Sequence, residues 1–405
     1  VILSENTNMT INAEVAVVGG GPAGLMTAIA LATAGVDTVL IAPKPEDDHR
    51  TTALLTGSVT ALMTLQAWDA CRSAAAPLVS IRIVDDTRRL LRAPEIVFTA
   101  AEIGLDAFGY NIENRHLLSA LYQRAAQLPI KRVTAPAQSI AVRDTDVAIH
   151  FADGMALARL AVGADGQHSI CRTAAGIVTD RRTYPQAALT LNVSHGRPHA
   201  DTTTEFHTES GPFTLVPLAG RRSSLVCVMD PARAAALFAM DDSELSAELE
   251  RRAHSLLGPM QVEPGRGLFP LAVDTARSFA RDRIALVGEA AHIVPPIGAQ
   301  GLNLSLRDAA TLAEIVVDAR RRDIDIGSSN VLARYETSRR ADVTSRSIAI
   351  DVLNRSLLAD FLPLQGVRGL SLYLVDRIGP LRRSLMREGV APAASQPRLM
   401  RGELV

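Results

Sequence analysis

The chain has 405 residues and a mass of 43.2 kDa, with 47% hydrophobic and 21% charged residues. At roughly 150 residues per domain that is two or three domains, and it excludes a small disulfide-stapled scaffold and a disordered chain alike. The 42 Lys and Arg against 43 Asp and Glu leave a formal charge of -1, so no overall field would hold nucleic acid.

Met9 opens the first segment that reads as structure, and the eight residues before it are left out of the fold reading. Glu14 to Val18 is a short β-branched run that enters Gly19-Gly20-Gly21-Pro22-Ala23-Gly24, and the apolar spacing of LMTAIALATAG then predicts a helix that Gly35 stops. Val36 to Ile41 reads as a second buried strand, which completes a βαβ unit and predicts a parallel sheet. The spacing predicts helix over 51–70, strands over 79–99 around a turn at Asp85-Asp86, and helix over 114–128. Residues 130–162 read as an antiparallel meander with turns at Asp144 and Asp153-Gly154. A separate antiparallel sheet is expected over about 184–273, with a helical insertion over 231–257. A parallel-type strand returns at 283–287, so the first domain resumes, and a long helix follows over about 299–321. Beyond 328 the period is helical, with Arg368, Arg377, Arg382, Arg383 and Arg387 set among apolar residues.

Three segments carry chemistry. Gly19 and Gly21 let a pyrophosphate approach backbone N–H groups at a helix start, and Gly24 allows close helix-strand packing, so this turn suits a dinucleotide. The acidic residue usual at the end of the second strand is missing, since Ala42 and Pro43 follow Ile41. Asp47, Asp48 or backbone groups are the available substitutes, and Arg50 is either a phosphate or ribose contact or a solvated charge. Val162-Gly163-Ala164-Asp165-Gly166, with Ser169 and Arg172 after it, places a carboxylate at a strand end. The third segment runs Gly288-Glu289-Ala290-Ala291-His292-Ile293-Val294-Pro295-Pro296-Ile297-Gly298-Ala299-Gln300-Gly301-Leu302-Asn303. Its prolines stiffen a turn, and its small residues leave the next helix N-terminus bare for an anion. Cys71, Cys171 and Cys227 are far apart, with no Cys-x-x-Cys pair and no His at metal spacing, so no metal site is expected and a reducing cytoplasm is. No run of about 18 apolar residues marks a membrane span.

In this order, GGGPAGL, GADG with its Ser and Arg, and GEAAH running into PPIGAQGLNLSLRDA resemble the group A flavin hydroxylases of the para-hydroxybenzoate hydroxylase fold. The tail of the third motif is most similar to the ubiquinone-biosynthesis hydroxylases. The resemblance covers about residues 12–390. It implies an α/β fold in which a Rossmann-like FAD-binding domain (9–75, 100–180 and 274–345) is interleaved with an antiparallel-sheet substrate domain (76–99 and 181–273), followed by a helical C-terminal region (346–405). It implies that Gly19, Gly21 and Gly24, with Pro22 and Ala23, hold the FAD pyrophosphate, and that Arg50 and Asn114 touch FAD. Asp165 and Gly166 would lie where FAD and the nicotinamide cofactor approach. Gly288 and Glu289 would take the ribitol, Glu standing where the family has Asp. Backbone groups from Gly298 through Gln300, Gly301 and Leu302 to Asn303 would face the isoalloxazine, where a helix dipole stabilises negative charge, and Pro295, a residue of shape and not of chemistry, would also border the cofactor.

The implied activity is hydroxylation of the aromatic ring of a polyprenylated ubiquinone precursor, using NAD(P)H and O2 through a flavin C4a-hydroperoxide. An FAD-dependent isoprenoid reductase and a non-catalytic member of a biosynthetic complex are the alternatives. No second glycine fingerprint exists, so no separate nicotinamide domain is expected. His292 is next to the flavin motif, and a hydrogen-bonded structural role is favoured over base catalysis; Trp68 reads as core. The Arg-rich C-terminal stretch reads equally as a solvated face or as a contact with the inner face of an anionic membrane or with a biosynthetic complex.

Overall fold

A computed structural model describes residues 9–45, 47–87, 94–295, 298–358, 378–390 and 396–405. Its central layer is a parallel sheet built from β1 (Met9–Val18), β2 (Thr38–Ile41), β3 (Ile130–Val133), β4 (Gly154–Gly163) and β5 (Ile284–Leu286), in the spatial order β5-β4-β1-β2-β3. Val15 to Val18 are all buried, which is what a strand covered on both faces requires. Helix α1 (Pro22–Thr33) leaves β1 through the glycine turn and is buried continuously from Gly24 to Ala32. It has no polar face because α2 (Asn114–Ala126) and α3 (Gln300–Arg320) pack against it.

Two sequence expectations are corrected here. Thr51–Leu55 is a strand, not the start of a helix; it pairs antiparallel with Gly109–Glu113, and the helix begins at Thr56, whose hydroxyl donates to the Phe108 carbonyl. The β-branched Thr51-Thr52 pair takes the extended form because partners distant in sequence supply its backbone bonds. The meander over 130–162 is only partly antiparallel. Ser139–Val142, Val147–Phe151 and β4 form that ladder, whereas β3 joins the parallel edge beside β2. The helix immediately before β3 supplies the crossover that a parallel partner needs.

The second layer is a nine-stranded sheet in which Thr179–His195, 17 residues long, pairs with Gly267–Ala276, Arg222–Met229 and Met260–Val262. Ser80–Asp85 and Ile96–Thr99 complete its far edge, on either side of the expected turn. Helices Pro231–Ala239 and Asp242–Arg252, N-capped by Asp230 and Asp241, cover one face and bury Leu237, Leu245 and Leu249 against Leu189, Leu191 and Phe213. The other face carries Ala188, Val228 and Leu271, with Val294 of the parallel part packed on them. His292–Ile293 adds a two-residue strand to this sheet, with Thr275 opposite His292 and Asp274 opposite Ile293.

Helix α4 (Ser329–Leu358) lies on α3, and α5 (Gly379–Val390) is tied to the rest by Arg382, which pairs with Glu102 at 2.6 Å and stacks over Phe98. Arg368 and Arg377 lie outside the described residues. Trp68 is 2% exposed and packs edge-on against Tyr110, a core position as expected. Cys71, Cys171 and Cys227 are buried, and burial pushes the Cys71 thiol up to about 11 and the Cys227 thiol to about 12. Among the described residues no helix is long and apolar enough to cross a membrane.

Candidate active site

The glycine turn is shaped by two close approaches. A side chain at Gly19 (φ +115°) would meet the Ala164 carbonyl at 2.1 Å, and one at Gly24 would meet the Gly19 carbonyl at 2.1 Å. β1, α1 and the loop after β4 are therefore packed to backbone contact. Gly21 has nothing within 4 Å on its side-chain side. No side chain caps α1, whose first turn holds Pro22 and no acid, so its N-terminal N–H groups open onto free space.

Across this opening stands a polar cluster from the loop after β2. Asp48 accepts from the Arg50 backbone N–H, from Arg50 Nε and Nη2 at 2.9 and 2.8 Å, and from Asn114 Nδ2 at 2.9 Å. Burial would raise the Asp48 carboxyl, but these donors outweigh it and hold the group below the ordinary carboxylate range. Its acceptor positions are filled within the protein, so Asp48 orients Arg50 and Asn114 instead of standing in for the missing ribose acceptor. Asp47 is turned to His49 at 3.3 Å and is mostly exposed. Thr52 donates to Asn114 Oδ1 and fixes the amide from the other side.

The third wall is the turn after β5. Gly288–Ala290 is a single 3-10 turn that carries Glu289, and it is held from behind. Asp308 on α3 accepts from the Gly288 N–H at 2.9 Å and from His292 Nε2 at 2.7 Å, while Arg339 of α4 donates to its other oxygen at 2.7 Å. The side chains of all three charged or ionisable members are 3% exposed or less. Burial pushes the Asp308 carboxyl up, and His292 and Arg339 more than reverse this, so it stays ionised. His292 Nδ1 is buried without a partner. The geometry makes His292 a brace of the turn through Nε2. Asp308 and Arg339 escaped sequence reasoning; the available signal was a charged pair, Arg307-Asp308, inside an otherwise apolar helical run.

Before α3 the chain turns through Gly298 (φ +65°) and Ala299 (φ +55°), two successive left-handed residues. The side chain of Asn303 is used completely by the protein: Nδ2 donates to the carbonyls of Ala53 and Ala299, and Oδ1 accepts from Leu55 N–H and Ser58 Oγ. It stitches the 51–55 strand to the start of α3. Gln300 donates to the Gly298 carbonyl. Asp165 braces the short helix Ile170–Ala174 by accepting from the Cys171 N–H at 3.1 Å, and its Oδ1 is buried without a partner.

These walls enclose a cleft of about 350 Å³ lined by Gly21, Pro22, Ala23, Arg50, Asn114, Gly166, Gly288, Glu289, Gly301 and Leu302, together with Asp48, Thr52, His292 and Ser305. A second cavity of about 500 Å³ adjoins it and shares Arg50, Thr51, Glu289, Ile293 and Val294. Its far wall is the antiparallel sheet: Leu191, Leu225, Val226, Phe269 and Leu271, with Pro295 at the turn. Gly19 and Gly24 lie behind the cleft, Asp165 braces its loop, and Gly298, Gln300 and Asn303 shape the α3 end without lining either cavity. Pro296 is outside the described residues.

The FAD binding domain family matches residues 12–346. The chain belongs to that family. It is 37% identical over 403 residues to the ubiquinone hydroxylase UbiL of Rhodospirillum rubrum, covering 96% of this chain and 93% of that protein. It is 32% identical over 390 residues to the 3-demethoxyubiquinol 3-hydroxylase of Escherichia coli, covering 92% and 97%. In fold it is similar to p-nitrophenol 4-monooxygenase PnpA from Pseudomonas putida, with a TM-score of 0.77 and 20% identity over 95% of this chain and all of that one. HpxO of Klebsiella pneumoniae, solved with FAD and uric acid, superposes with a TM-score of 0.75 and 20% identity over 94% and 97%. The fold is that of the group A flavin hydroxylases, and this family member is a flavin-dependent monooxygenase.

The residues present fit FAD. Gly19 and Gly24 pack the turn to backbone contact, Gly21 leaves open space on the cleft that a side chain would occupy, the α1 terminus beside it is uncapped, and His292 on the cleft wall keeps an orphaned buried nitrogen.

Proposed function

We propose that this FAD-dependent monooxygenase hydroxylates the aromatic ring of a polyprenylated ubiquinone precursor with NAD(P)H and O2, the parallel-sheet segments 9–75, 100–180 and 274–345 holding FAD and segments 76–99 and 181–273 holding the ring. The observation that carries the reading is the pair of adjoining cavities, one glycine-walled, the other backed by the antiparallel sheet with Leu191, Leu225, Val226, Phe269 and Leu271 on its wall, meeting at Glu289, Ile293 and Val294. The names of the R. rubrum and E. coli relatives agree with it.

When bound, FAD supplies the redox chemistry, taking reducing equivalents from the nicotinamide and activating dioxygen. The chain's own part is placement and exclusion. Gly21 and the α1 terminus take the pyrophosphate, Arg50 and Asn114 flank it, and Glu289 accepts from ribitol hydroxyls. The α3 terminus stabilises negative charge on the reduced ring through its backbone at Gly301 and Leu302. The apolar wall of the second cavity keeps water from the reacting centre and leaves room for an isoprenoid chain. We place the protein in the cytoplasm, with α5 near an anionic membrane surface where a prenylated substrate resides. Failure to float with anionic vesicles at low salt removes that placement.

The deciding test is mass spectrometry of quinone intermediates in cells lacking the protein, where a ring short of one hydroxyl should accumulate. With purified enzyme, a prenylated phenol should stimulate NAD(P)H oxidation with matching oxygen uptake. Turnover without oxygen would point to an isoprenoid reductase, and protein that cannot be reconstituted with FAD to a non-catalytic member.

A further inference from the structure

The larger cavity holds a polar group whose needs the protein leaves unmet. Asp274 stands on the strand Gly267–Ala276, opposite Arg181 on one neighbour and Ile293 on the other, and lines the cavity of about 500 Å³. The residue is 9% exposed, and its Oδ1 is shut off from solvent with no hydrogen-bond partner. A buried carboxylate oxygen without a donor costs folding stability, and such a group persists where something else completes it. The charged or ionisable groups that share the cavity are Arg181, His49, Arg50 and Glu289. Arg181 is exposed, and Arg50 is already bound by Asp48. The same wall carries the apolar Leu271, Val226, Ile293 and Val294 and the neutral polar Gln167, Thr190 and Asn192. Ile293, its partner across the ladder, lines both cavities, so Asp274 sits one residue from the boundary with the cofactor cleft.

A site of this kind admits an apolar body that brings a single O–H donor, and disfavours a second carboxylate placed against the first. We propose that Asp274 is the specificity-determining residue of the ring pocket: its carboxylate, which no donor of the protein completes, accepts a hydrogen bond from a hydroxyl on the substrate ring, sets that ring's orientation toward the cofactor cleft, and disfavours rings that carry a carboxylate. This rests on the reading of the cavity as the ring pocket. No bond beyond the hydrogen bond is made or broken by Asp274.

The test uses the FAD-loaded enzyme and three probes, an ortho-prenylated phenol with a short tail, its O-methyl ether, and the same phenol bearing a ring carboxylate. Binding is read from the perturbation of the flavin absorbance on titration. The wild type should bind the phenol about ten- to a hundredfold more tightly than the ether, because the ether strands the buried acceptor. In Asp274→Leu, with FAD content unchanged, that preference should shrink to within about threefold; a preference kept in full overturns the proposal. Should the Leu variant fail to fold, Asp274→Asn decides: the neutral amide should admit the carboxylated ring about tenfold better than the wild type, and unchanged rejection overturns the proposal. A wild type perturbed by none of the three rings would overturn the pocket reading and this inference together.

Discussion

One methyl group is enough to test the cradle. Gly24→Ala would place a carbon 2.1 Å from the Gly19 carbonyl, which forces a backbone shift costing about 1–3 kcal/mol. The expected result is protein with a lowered flavin-to-protein absorbance ratio and a Tm several degrees below the wild type, measured side by side. The buried Asp308 makes a different prediction. Arg339→Met removes one of its two cationic or ionisable partners and should cost about 3–5 kcal/mol in urea denaturation. The pH dependence has a definite sign. The Asp308 carboxyl is lowered in the folded protein, so its contribution is complete above the unfolded value of about 4 and is lost as the pH falls through the depressed folded value. The wild-type urea midpoint should therefore drop more steeply between about pH 5 and 3 than that of Asp308→Asn. At this scale the sequence revealed local chemistry and hid distant partners. The glycine turn is legible because strand, turn and helix are consecutive, whereas Asp308 with Arg339, 31 residues apart, shows no spacing that links them.

Among the elements, α3 does most to position the site, and Asn303 is its fastening. Asn303→Ala deletes four hydrogen bonds and strands the buried Ser58 hydroxyl and the half-buried Leu55 N–H and Ala53 carbonyl, an expected loss of about 2–4 kcal/mol that equilibrium denaturation would detect. The same reasoning explains why the 51–55 strand was unreadable: TTALL carries no period of its own, and its extended form is imposed by Gly109–Glu113 and Asn303. β3 reads as a strand from its sequence, but its parallel pairing depends on the helix before it and on β2, 92 residues away in sequence, and alternation does not encode pairing partners. Arg382 anchors α5 through Glu102 and Phe98, and Met386 packs beside it with Ala100 and Phe108. Arg382 first, with help from the Thr99 N–H, pulls the Glu102 carboxyl to about 2 against the opposing effect of burial. Glu102→Gln should raise the rate of proteolytic cleavage near residues 378–390 at neutral pH while leaving flavin content unchanged.

For the molecule as a whole, the two larger hydrophobic clusters among the described residues, one under the parallel sheet and one under the antiparallel sheet, support a pair of adjoining cavities. FAD that binds only the folded chain should stabilise it by about 2.7 kcal/mol at a hundredfold excess over Kd. A thermal scan of apoprotein with increasing FAD should show Tm climbing with the logarithm of its concentration. A flat response would mean that the cleft does not take the cofactor. The order of three motifs disclosed this architecture, because each lies on a turn whose glycines or prolines are needed locally. The wall of the larger cavity is not legible in the sequence, since its side chains come from many separate strands and turns, between His49 and Pro295, with no shared pattern.

The short ladder that joins Asp274 and Thr275 to Ile293 and His292 ties the two halves together like a hinge pin. The same segment bears Glu289 and ends at Pro295. Were a guest on one side to shift it, reciprocity would fix the terms: whatever factor one guest added to the affinity of its neighbour, the neighbour would return in equal measure.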